Sequence, residues 1–216
     1  MSSSNDRNGS FWEKMWTKLA PGEAFDAEQP LPYLERLLEL DFIPKDGVGI
    51  VPGCGRGYSI QAFAKTTPKR HMVGLEISET AAKAARKYLD SQSVPKDSWE
   101  IINENFFEYK SMDCRFNLAY DYTFLCALDP EMRQSWAKRY SELLLPKGVL
   151  ITVIFPICDK VGGPPFAISE SLVSELLTPV GFTKTFSKSL GPGEAHPGRD
   201  GSGSSPHTTV CVWTKE

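Results

Sequence analysis

Three glycines at alternate positions, Gly53, Gly55 and Gly57, follow a short apolar run in the stretch "IVPGCGRGYSI". Glycine lets a backbone approach a ligand closely, and a helix that starts after such a turn offers unpaired amide N–H groups. The spacing here is G-x-G-x-G. The dinucleotide fingerprint G-x-G-x-x-G has its third glycine where this chain carries Tyr58. A pyrophosphate needs the tight helix start which that third glycine provides. A nucleoside ligand without phosphate needs only room and backbone contact, so the turn favours the adenosine of S-adenosylmethionine over NAD.

The next apolar stretch, "HMVGLEIS", ends in Glu76. A carboxylate at a strand end, one unit after the glycine turn, is placed to accept hydrogen bonds from both ribose hydroxyls and to exclude a 2′-phosphate. The third strand runs into "NENFF". There Asn105 can accept from an adenine amino group while the backbone N–H of Phe106 meets a ring nitrogen. The bland readings of these positions are a flexible turn, a solvated charge and a polar strand exit. His71, His196 and His207 form no ligand cluster. His71 begins a strand, and the other two fall in a Gly/Ser/Pro-rich stretch where a structural or solvated part is expected.

These side chains need a scaffold. "FWEKMW" spaces Phe11, Trp12, Met15 and Trp16 as a helix would. "LPYLERLLEL" predicts an amphipathic helix, "VGIV" a buried strand, and residues 59–65 a helix after the glycine turn. Further on, "HMVGLEI" and "FNLAYDYTF" read as strands, "WEIINENFF" as a strand and its exit loop, and "PKGVLITVIFP" as a turn and a strand. They alternate with helices over "SETAAKAARKYLD", with Ser78 as its cap, and "PEMRQSWAKRYSELL". "SESLVSELLTPVGF" is a helix leading into "GFTKTFSK", and "TTVCVWTK" is the last strand. Such alternation predicts an α/β domain with a mostly parallel sheet, and an antiparallel final pair because no helix separates its strands. Between those strands, residues 190–207 have the composition of a long mobile loop. Residues 1–10 read as a disordered tail, leaving 11–216 as one domain.

Composition narrows the function. The chain has 216 residues, a formal net charge of -3, 41% hydrophobic and 24% charged residues. No basic stripe marks a nucleic-acid surface. The five cysteines lie apart with no CxxC pair, so neither zinc nor a disulfide framework is expected, and no metal is. With no secretory-type start and no apolar run long enough to span a bilayer, the expectation is a cytoplasmic protein with no nucleic-acid or membrane partner; a monomeric state is expected as well.

Five segments in order, "WEKMW", "VPGCGRG", "VGLEIS", "YDYTFLCALDPEMR" and "GGPPF", resemble the thiopurine methyltransferase superfamily, closest to its thiol and halide methyltransferase branch. The similarity runs from about Phe11 to Phe186. It implies a Rossmann-like, seven-stranded class I fold that uses S-adenosylmethionine and releases S-adenosylhomocysteine. It also implies that residues 11–29 fold over the cofactor, with Trp12, Trp16 and Phe25 around it; aromatic faces attract a cationic sulfonium by ~0.5–2 kcal/mol. It places Tyr122 beside cofactor and substrate, where thiopurine-type members carry arginine. The tyrosine points to a small thiol, hydrosulfide or halide ion over a purine. The "GGPPF" loop should border the substrate pocket. The chain departs from the wider pattern at Val51, where many methyltransferases have an acid, and at Asn105, where many have aspartate.

The expected reaction is methyl transfer by in-line displacement, in which the protein mainly positions the reactants and keeps them dry. A thiol must ionise first, from a free pKa of ~8.5. Tyr122 is the residue expected to orient the nucleophile, and Asp121 the one that could help steer a proton. The alternative within the same class is an aromatic or heterocyclic thiol acceptor. A dehydrogenase lacks its third glycine, and a non-catalytic binder would not need the tyrosine and tryptophans.

Overall fold

A computed structural model describes residues 9–66, 69–110 and 116–216. Seven strands form one sheet in the order β3-β2-β1-β4-β5-β7-β6. The strands are β1 (Gly47–Pro52), β2 (Arg70–Leu75), β3 (Trp99–Ile102), β4 (Phe116–Tyr122), β5 (Leu144–Ile157), β6 (Phe182–Leu190) and β7 (His207–Lys215). The first five pair in parallel, and β7 runs antiparallel to both β5 and β6. The expected α/β class and antiparallel last strand are therefore found.

Helices α1 (Gly9–Lys18), α2 (Leu34–Leu38), α3 (Tyr58–Thr66), α4 (Glu79–Ser91), α5 (Arg133–Leu143) and α6 (Glu170–Leu177) flank this sheet. One apolar cluster joins α2, α3 and α4 to one face through Leu34, Leu37, Ile60, Phe63, Ala85 and Leu89. A second joins α5 and α6 to the other through Trp136, Tyr140, Val173 and Leu177. Central strands read as continuous apolar runs because both faces are covered. Ser78 and Ser169 cap α4 and α6, accepting from Ala81 N at 3.2 Å and Leu172 N at 3.1 Å.

Two boundaries differ from the sequence reading. The helix in "LPYLERLLEL" lasts only five residues. Lys45 Nζ donates to the carbonyls of Leu38 and Leu40 at 2.5 and 2.9 Å and so satisfies oxygens that another turn of helix would have used. The turn expected at "PKG" lies inside β5, which begins at Leu144. The register slips there, between Phe116↔Leu144 and Leu118↔Val149. Of the tail expected at residues 1–10, residues 1–8 lie outside the described residues, and Gly9 and Ser10 begin α1.

The site is positioned at the carboxyl ends of the central parallel strands, where order reverses between β1 and β4. Ligands of open α/β sheets bind in the crevice at that switch point.

Candidate functional site

A cavity of about 700 Å³ opens there. Gly53 and Gly55 line it, as do Trp12, Trp16 and Phe25 from the N-terminal segment, Glu76 after β2, and Tyr122 at the tip of β4. Sequence reading selected all seven.

The glycine turn has the backbone its composition demands. Gly53, Gly55 and Gly57 hold φ of +57°, +54° and +82°, a region costly for residues with a Cβ. A Cβ on Gly53 would stand 2.6 Å from the Phe124 ring, and one on Gly55 3.1 Å from Trp16. The turn is fastened to the neighbouring strand end by Glu76. Its Oε2 accepts from Gly55 N at 2.9 Å and its Oε1 from Ser78 N at 3.0 Å. Glu76 is 4% exposed, and burial raises its pKa against those hydrogen bonds. Each carboxylate oxygen keeps a further lone pair for a hydroxyl donor.

The N-terminal segment is latched across the opening at two points. Glu13 of α1 accepts from Ser78 Oγ at 2.6 Å, Thr80 N at 3.1 Å and Thr80 Oγ1, at the start of α4. Those donors hold its pKa down at about 2. Farther on, the carboxylate of Asp26 accepts from Arg56 Nε at 2.5 Å, and Arg56 Nη2 donates to Leu19 O at 2.8 Å. Arg56 lies between the glycines and covers the Trp16 ring with its guanidinium 5.5 Å from the centroid. Trp12 and Trp16 meet Phe25 edge-on at 6.0 and 5.2 Å. The result is an aromatic wall along the cavity.

The other end of the cavity is built by Tyr122, Cys126, Phe155, Pro164, Pro165, His196 and Arg199. Phe166 N donates to Cys126 O at 2.7 Å, which holds the "GGPPF" loop on this rim. Arg199 Nη1 donates to Tyr122 Oη at 3.0 Å and Nη2 to Phe25 O at 3.2 Å; its guanidinium also lies 5.1 Å from the Phe155 ring. His196 stacks on Tyr122, with centroids 5.8 Å apart and planes at 9°. Burial raises the Tyr122 pKa and pushes the Cys126 thiol up to about 12, so that thiol stays protonated.

Several expectations change here. Asp121 is the neighbour of Tyr122 but points to the opposite side of the sheet, since strand side chains alternate. It is 2% exposed and accepts from Leu125 N at 3.1 Å, Trp136 Nε1 at 2.7 Å and Tyr140 Oη at 3.0 Å. That carboxylate ties β4 to α5 and does not line the cavity. Asn105 and Phe106 are also absent from the lining. The Asn105 side chain accepts from Phe107 N at 3.0 Å, and Phe106 packs on Phe124, which does line the cavity. Gly57 sits behind the turn, against Ala85 and Leu89.

Conversely, the stretch set aside as a loop supplies His196 and Arg199. It is tied to the body by Tyr33 N to Glu194 O at 3.0 Å and by Thr208 Oγ1 to Arg199 O at 2.5 Å. Arg199 is the one Lys or Arg in residues 190–207, which was the available signal. No group of side chains that could hold a metal ion occurs among the described residues, and no helix among them is long and apolar enough to cross a membrane.

The residues present fit a nucleoside sulfonium cofactor. Glu76 offers buried acceptor capacity beside a glycine cradle that side chains would fill, and the aromatic wall suits a cation.

Comparison with known proteins agrees. The thiopurine S-methyltransferase family matches residues 7–192. A probable thiol methyltransferase 2 of Arabidopsis thaliana is 40% identical over 178 residues, 82% of this chain and 76% of the relative. A thiocyanate methyltransferase 1 of Brassica oleracea is 41% identical over 174 residues, 79% and 73% of the two chains. Among solved structures, a 1,6-didemethyltoxoflavin-N1-methyltransferase of Burkholderia thailandensis superposes with a TM-score of 0.68 at 16% identity, covering 96% of this chain and 86% of that one; it shares the fold.

Proposed function

The chain belongs to the thiopurine S-methyltransferase family and is an S-adenosylmethionine-dependent methyltransferase, and from that premise we propose that its acceptor is a small thiol, hydrosulfide, thiocyanate or halide ion. The observation that carries the reading is the Arg199–Tyr122 pair at the far end of the cavity. It presents a fixed positive charge and a phenol hydroxyl. The carboxylates lining the cavity are engaged elsewhere, Asp26 with Arg56 and Glu76 at the glycine turn. Such an end favours an anion over a neutral heterocycle. The names of the plant relatives support the same acceptor chemistry.

When bound, S-adenosylmethionine supplies an electrophilic methyl group on a sulfonium. Glu76 would hold the ribose hydroxyls, while Gly53 and Gly55 let the backbone approach. Trp12, Trp16 and Phe25 would cover the charged sulfur and exclude water. Tyr122 and Arg199 orient the nucleophile. The carbonyl of Phe25 and the hydroxyl of Tyr122 share that one guanidinium, so closing the aromatic cover and ordering the acceptor end are linked. An anion needs no base. A thiol arrives ionised or loses its proton to solvent beside Arg199, whose charge lowers its pKa. Catalysis then rests on positioning and desolvation. The reading carries with it a cytoplasmic, monomeric enzyme, which cell fractionation and size-exclusion chromatography test.

The test is S-adenosylhomocysteine formation by purified protein with iodide, thiocyanate, hydrosulfide, a small alkyl thiol and an aromatic thiol in parallel. Turnover of the anions and small thiols is expected. Turnover of the aromatic thiol alone would move the acceptor to the thiopurine type.

A further inference from the structure

His196 is 3% exposed and lines the acceptor end of the cavity. Its Nδ1 is buried and has no hydrogen-bond partner among the described residues. That orphan atom decides which form the ring takes. A proton on Nδ1 would bury an unpaired N–H donor, a costlier omission than an unpaired lone pair. Both the Nδ1–H tautomer and the imidazolium carry such a proton. The form that avoids it is neutral, with its proton on Nε2. The fixed charge of Arg199, three residues on, disfavours the imidazolium further, and burial with that charge holds the ring's pKa down at about 4.

We propose that His196, as a neutral imidazole with its proton on Nε2, is a hydrogen-bond donor to the anionic methyl acceptor and, with Arg199 and Tyr122, sets the enzyme's choice of acceptor. The inference rests on the acceptor reading above and extends it to a residue that the sequence set aside. The geometry gives the donor three properties. The ring is held parallel to the Tyr122 ring, so its edge is oriented. The turn that carries it is closed by Arg199 N donating to His196 O at 3.0 Å, which keeps imidazole and guanidinium on one short unit. Its neutrality adds a donor beside Arg199 without a second positive charge that would repel it. A soft anion such as thiocyanate or a thiolate then meets one charged and two neutral donors in a dry cavity.

A purely structural histidine predicts a different outcome, and two variants separate the cases. His196→Phe keeps an aromatic ring to stack on Tyr122 and removes both nitrogens. His196→Gln loses the stack and keeps an N–H donor. Thiocyanate is titrated by calorimetry into each protein saturated with S-adenosylhomocysteine, and S-adenosylhomocysteine affinity is measured separately. A hydrogen bond to a charged group corresponds to roughly a tenfold to hundredfold loss when removed. The expected result is a loss of thiocyanate affinity of that size for His196→Phe, a smaller loss for His196→Gln, and cofactor-product affinity unchanged in both. Thiocyanate affinity kept in His196→Phe and lost in His196→Gln would overturn the inference and leave a stacking role. Wild-type protein that neither binds nor methylates thiocyanate, iodide or a small thiol would overturn the acceptor reading, and the inference with it.

Discussion

Arg199 and Tyr122, 77 positions apart in sequence, are joined by a 3.0 Å hydrogen bond from Nη1 to the phenol oxygen. The same guanidinium holds Phe25 of the N-terminal segment through its carbonyl. One side chain therefore couples the cover of the cavity to its acceptor end.

Replacing Arg199 by methionine keeps much of the length and removes charge and donors. The KM for thiocyanate or iodide is expected to rise by ~10–100-fold, the range of a lost hydrogen bond to a charged group. Arg199→Lys should recover part of this, since it restores the charge but not the planar fork that reaches two acceptors. Initial rates at saturating S-adenosylmethionine measure it. An unchanged KM in Arg199→Met would remove this residue from acceptor binding.

Asp121→Asn tests the part the fold gives that carboxylate. Asparagine leaves one oxygen and an amide where three donors converge from Leu125, Trp136 and Tyr140. A buried unsatisfied donor costs ~1–3 kcal/mol, so the melting temperature should fall by ~2–10 °C. The shape of the pH–rate profile should stay as in wild type. A displaced profile with unchanged stability would restore Asp121 to the proton path.

The fold and the glycine-turn wall of the cavity were legible in the sequence because local patterns encode them. The alternation of apolar runs gave the sheet, and the positive φ of Gly53 and Gly55 is a backbone need that glycine announces. Glu76 was legible because a strand end fixes its position relative to the turn. At the other end, Tyr122 and the "GGPPF" loop were reached only through the family resemblance, and His196 and Arg199 were not reached at all, because that end is assembled from segments far apart. His196 and Arg199 lie in a stretch whose glycines and prolines carry no period, and only tertiary ties such as Tyr33 N to Glu194 O bring it to the cavity. Asp121 stays outside the lining for a local reason: its neighbour Tyr122 lines the cavity, and the two-residue strand repeat turns adjacent side chains to opposite faces.

Glu13 links α1 to the start of α4 through Ser78 and Thr80. Glu13→Gln keeps the shape and weakens three charge-assisted bonds. The cover should open more often, so S-adenosylhomocysteine should dissociate ~3–10-fold faster, with acceptor KM little changed. Stopped-flow release of the product reads this directly. Equal release rates in wild type and variant would mean that the latch does not limit opening.

Acid should unfold the protein in two separable windows. His196 titrates near 6.5 when unfolded and at about 4 in the fold, where Arg199 carries charge beside it and Tyr120, Tyr122 and Cys126 stay protonated. Between those values the unfolded chain binds a proton that the folded chain refuses, so stability falls as pH drops from 6.5 and the loss from this residue levels off below about 4. The total is at most ~3 kcal/mol, taking 1.36 kcal/mol per pKa unit. Glu13 works in the opposite sense and lower down. Its pKa falls from 4.5 unfolded to about 2 folded, so its contribution is full above 4.5 and is lost as pH approaches 2. Urea unfolding at a series of pH values should show both slopes. His196→Phe should flatten the upper window and leave the lower one, and Glu13→Gln should do the reverse. A His196→Phe protein whose stability falls as steeply as wild type between 6.5 and 4 would mean that the folded state protonates this ring without penalty.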